Sequence, residues 1–233
     1  MMIEKFHKDI VEIEKKLQYT FQHKELLLLA FTHRSFVNEN KERVEDHNER
    51  LEFLGDAILG VIVSEFLYKT LPTYKEGQLS YLRSRLVDAS TCALYMQKLS
   101  VAEHLLLGKG EMMNAGKGRD SIIADLFEAI LGAIYVDAGL EGVKQFFLHH
   151  FARLFEQLIK EPIHNWKAML QDHFQKKFQK QPIYKLLRAE GPDHEKVFYI
   201  GVYLEDKELG MGTGLSKKEA EQKAAHDAIK KLL

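Results

Sequence analysis

Asn48-Glu49-Arg50-Leu51-Glu52-Phe53-Leu54-Gly55-Asp56-Ala57-Ile58-Leu59 sets three carboxylates into an otherwise apolar segment. On a helix, positions three and four apart share a face, so Glu49, Glu52 and Asp56 form one stripe. Leu51, Phe53, Leu54, Ala57, Ile58 and Leu59 surround that stripe, which predicts a largely buried helix. Ala124-Asp125-Leu126-Phe127-Glu128-Ala129 repeats the arrangement: Asp125 lies beside Glu128 among Ile122, Ile123, Ile130 and Leu131. Carboxylates in such helices are costly to desolvate and repel one another, so they protonate unless a cation neutralises them. Either stripe alone is also explained as a solvated face. Two together make a hard, oxygen-rich cluster suited to Mg2+, with Mn2+ as a substitute, and no Cys/His set at zinc spacing competes. A water of such an ion can serve an in-line attack on phosphorus, so the chemistry suggested is phosphodiester hydrolysis.

Composition sets the bounds. The chain has 233 residues, 45% of them hydrophobic, enough for one large core or two small ones. The start, Met1 to Ile10, is polar and helix-like rather than a secretory signal, and the longest apolar run, Ala57 to Val63, falls far short of the ~20 residues of a membrane span. A soluble, cytoplasmic protein with no membrane partner is expected. The single cysteine, Cys92, lies among Ala89, Ala93 and Leu94 and reads as a core residue. The net charge of −1 conceals an asymmetry: from Pro162 onward 13 Lys+Arg face 10 Asp+Glu, while the preceding part is acidic. The positions of the basic residues therefore decide whether a nucleic acid is a partner.

The pattern divides the chain near Lys160-Glu161-Pro162, giving domains 1–160 and 161–233. Before that point it is helical, with three- and four-residue spacing in Ile10 to Leu17, Glu25 to Phe31, Leu51 to Leu67, Gln78 to Leu99, Ile122 to Tyr135 and Val143 to Leu158. The Gly-rich segment Gly108 to Arg119 reads as a loop. It fails as a phosphate-cradling P-loop, because Ala115 stands five residues after Gly110 and no Ser or Thr follows Gly116-Lys117. Lys117 and Arg119 immediately precede the second acidic helix and are within reach of a phosphate there.

After the boundary the order is αβββα: a helix at Asn165 to Gln179, strands at Ile183 to Ala189, Phe198 to Leu204 and Glu208 to Thr213, and a helix from Lys217 to Lys231. Phe198, Ile200, Val202 and Leu204 alternate with Tyr199, Gly201 and Tyr203, which marks a half-buried strand. Ser216 and Glu219 have capping-box spacing and fix the start of the last helix. Lys217 and Lys218 sit at that tip, where free N–H groups and two ammonium groups make a site for backbone phosphates. The fold class is thus a mainly α domain followed by a small α+β domain.

These residues also carry a resemblance. Asn48 to Leu59 resembles the signature of the bacterial ribonuclease III family, and Asp120 to Asp137 its second acidic motif. Glu76 to Val87 resembles the family's intervening helix, and Thr32-His33-Arg34-Ser35-Phe36 its early one. Lys167 to Asp172, Gly191 to His194 and Gly210 to Glu221 resemble the first helix, first hairpin loop and last loop of a double-stranded-RNA-binding domain. The match covers nearly the whole chain.

The resemblance implies a metal-dependent endoribonuclease that cuts double-stranded RNA to 5′-phosphate and 3′-hydroxyl ends, in ribosomal-RNA and messenger-RNA processing. Glu52, Asp56, Asp125 and Glu128 would carry the metal chemistry, with Asp56 and Glu128 catalytic and Glu49 assisting. Gln171 and His194 would face RNA minor grooves, reading 2′-hydroxyls and shape across ~16 base pairs, beside Lys217 and Lys218. A homodimer is implied, each subunit cutting one strand. Phe53 serves either that interface or the core, and Glu76 either RNA or the helix dipole. Two features depart from the common pattern: Glu221, where many such domains have a basic residue, and Ile163 to Trp166, where Trp166 reads as packing. A non-catalytic RNA-binding protein is the main rival, and a nucleotide phosphohydrolase the second.

Overall fold

A computed structural model describes residues 2–42, 44–113, 119–160, 166–191 and 196–232. The chain divides into two units, Met1–Glu161 and Pro162–Leu233. In the first, the described elements are α1 (Met2–Leu17), α2 (Lys24–Ala30), α3 (Arg34–Glu39), α4 (Glu49–Thr70), α5 (Glu76–Leu86), α6 (Ala89–Leu99), a 3-10 turn, α7 (Lys109–Met113) and α8 (Arg119–Lys160). The second contains α9 (Trp166–Phe178), β1 (Ile183–Glu190), β2 (Val197–Leu204), β3 (Lys207–Gly214) and α10 (Lys217–Leu232). Among the described residues no helix is long and apolar enough to cross a membrane.

The first unit is built on α4 packed against α8. At the crossing, a Cβ on Gly55 would lie 1.8 Å from the Glu128 carbonyl oxygen, and one on Gly132 would lie 2.1 Å from that of Leu51. Two glycines thus let the helices that carry the acids touch backbone to backbone. Behind them, Tyr95 of α6 meets Phe127, Phe147, Phe151 and Phe155 of α8 at ring separations of 4.8–6.0 Å. Its buried hydroxyl donates to the Leu86 carbonyl at 2.9 Å, so this large aromatic leaves no polar atom unpaired. Cys92 is fully buried, in accord with its reading as a core residue.

Three local expectations are corrected. The periodic run from Gln78 to Leu99 is two helices, because the Asp88 carboxylate accepts the Thr91 N–H at 2.8 Å and starts α6 afresh. The Gly-rich segment is not wholly a loop: it opens with α7, while residues 114–118, Lys117 among them, lie outside the described residues. The signature helix α4 is not buried on every side, since Phe53 is 81% exposed, Val61 49% and Tyr68 75%. At 100° per residue these three fall within ~80° of arc, so α4 carries a buried face, an acidic edge and an uncovered apolar stripe. Within the described residues α8 and α5 both pack on α4, with Arg83 of α5 donating to Ser64 Oγ at 3.3 Å, and neither covers this stripe.

In the second unit the antiparallel sheet has order β1-β2-β3. Ile200 and Val202 of β2 point to the helices and form the core with Leu170, Phe174, Ala220, Ala224, Ala225 and Ala228. Gly210, Gly212 and Gly214 of β3 face the alanines of α10, and a Cβ on Gly212 would stand 2.2 Å from the Ala224 nitrogen. Trp166 stacks on His226 at 4.1 Å and packs against this core, so it acts in packing.

Candidate metal centre and RNA-binding surface

Glu52 of α4 and Asp125 and Glu128 of α8 converge. Each offers a carboxylate oxygen, and these atoms lie within 4.8 Å of one another. All three side chains are half-buried. Asp56, one turn after Glu52, is exposed and lies outside this trio, yet its charge reaches Glu128. Burial, followed by the charges of Asp56, Glu52 and Asp125, pushes the Glu128 carboxyl up to about 8. Burial also raises Glu52 and Asp125, with Asp125 and Glu49 adding to the effect at Glu52. Three hard oxygen donors brought this close, each raised by burial and by neighbouring acids, suit a small divalent cation.

Glu128 leads to a pH prediction. Its carboxyl lies above its ordinary value of 4.5, so the fold holds a proton that the unfolded chain has released. Its contribution to metal-free stability is therefore present below pH 4.5 and is lost as pH rises to about 8. A cation must displace that proton, so metal affinity climbs by up to ~10-fold per pH unit until the group has titrated. Melting curves with and without Mg2+ at pH 6 and 8.5 will show the larger metal-induced shift at pH 8.5. Equal shifts would refute the raised carboxyl.

The surroundings of the trio are set by α3 and the segment before α4. Asn48 is buried, donating its backbone N–H to Thr32 O at 2.9 Å and its side-chain amide to Ala30 O at 3.3 Å. This strap brings His33 and Arg34 to a cleft of about 490 Å³ that they share with Glu49, Glu52, Glu111 and Asp125. Arg34 Nη1 stands 3.2 Å from Glu49 Oε1. His47 Nδ1 is 3.8 Å from the other Glu49 oxygen. Glu49 therefore borders the acidic trio and pairs with Arg34 rather than joining it. Burial lowers the His33 imidazole below its usual value. On the core side, Cys92 Sγ is 4.0 Å from Glu128 Oε1, and burial holds it as a thiol.

Residue spacing alone did not reveal the roles of Asn48, Gly55, Gly132, Arg34 or Glu111 here. The only signal for Arg34 was the early-helix resemblance at Thr32 to Phe36. Glu76 is exposed at the start of α5 and accepts the Ser80 hydroxyl at 2.8 Å.

In the second unit, Lys217 and Lys218 are exposed at the tip of α10 and Gln171 is exposed on α9. His194 lies outside the described residues. Ser216 Oγ accepts the Glu219 N–H at 3.2 Å, while the Glu219 carboxylate accepts from Leu215 N at 2.9 Å, one residue earlier than a capping box requires. The lysine tip is thereby fixed in place. Glu221 forms an ion pair with Lys167 at 2.6 Å, and that ammonium also lies over the Tyr184 ring.

Comparison with known proteins gives two family matches: a Ribonuclease-III-like model over residues 23–154 and the Double-stranded RNA binding motif over residues 166–232. Ribonuclease 3 of Protochlamydia amoebophila is 58% identical over 94% of this chain and 90% of its own length. Ribonuclease 3 of Leptospira interrogans is 41% identical over 97% of this chain and 91% of its own. Two structures of the nuclease domain of ribonuclease III from Campylobacter jejuni, 40% and 39% identical, superpose with TM-scores of 0.54 and 0.56. They cover 62% and 66% of this chain and 94% and 98% of their own, and the first concerns flexibility in a region involved in dimer formation.

Proposed function

Since the chain belongs to the ribonuclease III family and is an endoribonuclease of double-stranded RNA, we propose that Glu52, Asp125 and Glu128 hold its catalytic divalent cation, Mg2+ with Mn2+ as substitute. The observation that carries this reading is the convergence of three half-buried carboxylates from α4 and α8. Asp56 completes the set from the exposed side, its charge adding to the negative field that draws a cation to Glu128. When bound, the cation supplies Lewis-acid stabilisation of the phosphate and a water of lowered pKa. Glu128 and Glu52 orient and neutralise it, Asp125 anchors it to α8, and Glu49 lines the approach. Ala124, Leu126, Phe127 and Ala129 of α8 are buried beside the trio and limit its exposure on that side. Residues 1–160 act as the nuclease domain and 161–233 as the RNA-binding domain. In the latter, Lys217 and Lys218 hold backbone phosphates, and Gln171 and His194 face the minor grooves. The setting is cytoplasmic processing of ribosomal-RNA precursors and structured messages.

Incubating an end-labelled 30-base-pair duplex and a free dinucleotide with Mg2+ or EDTA tests the reading. Metal-dependent cutting of the duplex alone, with 5′-phosphate ends, supports it; hydrolysis of the dinucleotide favours a phosphohydrolase.

The uncovered stripe of Phe53, Val61 and Tyr68 supports a homodimer, because a large apolar strip beside an acidic edge is what a two-fold partner covers. Phe53→Asp is expected to weaken dimerisation by on the order of 10³-fold, since two-fold symmetry removes two copies of a contact of ~2 kcal/mol. Sedimentation velocity reads this directly. At 81% exposure the residue contributes little to the monomer core, so the variant keeps its fold. An unchanged dimer would place the interface elsewhere.

A further inference from the structure

We infer that Arg34 is a substrate-binding residue of the cleft: its guanidinium, held on Glu49 in the free protein, takes a non-bridging oxygen of an RNA phosphate beside the scissile one. The inference rests on the nuclease reading and extends it to a residue outside the acidic motifs. Among the described side chains lining the cleft, Arg34 is the one Arg or Lys, against Glu49, Glu52, Glu111 and Asp125. A cleft so acidic repels a polyanion unless positive charge offsets it, and the cation at the trio leaves the neighbouring phosphates unpartnered. Arg34 already acts on this field, lowering the carboxyls of Asp125 and Glu52 against the other influences on them.

The placement of Arg34 is rigid. His33 N donates to Leu106 O at 3.1 Å, Thr32 O accepts the Asn48 N–H at 2.9 Å, and Ser35 Oγ accepts the Gly108 N–H at 2.9 Å. His33 Nδ1 accepts the Ser35 N–H at 3.2 Å and caps α3. The residues on either side of Arg34 are therefore tied to two other segments, 106–108 and Asn48, the second of which opens the metal-holding helix. By contrast, the side chains of Arg34 and Glu49 are 66% and 45% exposed, and such a surface ion pair contributes little to stability. A rigid backbone presenting an exposed, weakly held fork suits exchange of Glu49 for a phosphate, whose two oxygens match the guanidinium geometry.

The test uses the full chain and a 30-base-pair duplex with single methylphosphonates placed around the cut. Wild type is expected to lose about ten- to a hundredfold in kcat/KM at one phosphate. Arg34→Ala loses a similar factor on the unmodified duplex and nothing further at that phosphate, while Arg34→Lys, keeping charge without the fork, falls between. Melting temperatures of the variants match wild type, as a structural role for Arg34 would not allow. Duplex binding in Ca2+ reads the same contact without cleavage, and Arg34→Ala should reduce the slope of log affinity against log salt by ~0.9. Unaltered methylphosphonate penalties or an unchanged salt slope in Arg34→Ala overturn the assignment. A wild type that binds but never cuts in Mg2+ overturns the nuclease reading instead, and the salt slope still decides the role of Arg34.

Discussion

Glu128→Gln abolishes cleavage of a duplex in Mg2+ by at least ~10³-fold, about 4 kcal/mol of transition-state stabilisation, and leaves duplex binding in a gel shift unchanged. The side chain keeps its volume, so the packing of α8 beside Phe127 and Ala129 is preserved. What is lost is the charge at the carboxylate that burial and three neighbouring acids have raised to about 8. A neutral amide removes the strongest anionic donor of the trio and leaves Glu52 and Asp125, half-buried themselves, to hold the cation. Binding is unaffected because the lysines at the tip of α10 belong to the other unit. The substitution also relieves repulsion, so the metal-free variant should melt above wild type at pH 8.5, where the native carboxyl is mostly charged. If the variant cuts at the wild-type rate, the trio is not the active site. If neither protein cuts and both bind, this member of the family is an RNA-binding protein that retains the scaffold.

Gly55→Ala is expected to destabilise the first unit by about 3 kcal/mol or more, a fall of roughly 6–12 °C in melting temperature, and to remove activity with it. The added methyl would meet the Glu128 carbonyl oxygen at 1.8 Å, and backbone on both sides leaves no flexible side chain to move aside. The helices must separate, and with them Glu52 from Asp125 and Glu128. Gly60→Ala is the control, since a Cβ there has nothing within 4 Å. It lies in the same helix and should raise stability by about 0.5–1 kcal/mol through helix propensity. Equal melting temperatures for the two variants would show that α4 and α8 do not meet as described.

The second unit follows from short-range chemistry and is legible in its residues: the alternation of Phe198 to Leu204 gives β2, and Ser216 with Glu219 locates the start of α10 to the residue. Periodicity misleads between Gln78 and Leu99, where apolar spacing runs unbroken and the single carboxylate of Asp88 divides it. It misleads again on α4, where residues apolar on nearly every side suggest all-round burial and Phe53 is instead exposed. Helical periodicity reports that residues share a face and says nothing of what covers it.

The sequence by itself determined most of the element types and the acidic stripes of α4 and α8, because capping, periodicity and charge spacing act within a few residues of each other. Only the tertiary structure decided which carboxylates meet, placing Asp56 outside the trio, and which residues attend them. Arg34 reaches Glu49 through the Asn48 strap, and Gly55 and Gly132 matter through the backbones they touch. The physical reason is that these contacts join segments far apart in the chain. Their strength comes from desolvation and close approach, which exist only once the helices have packed.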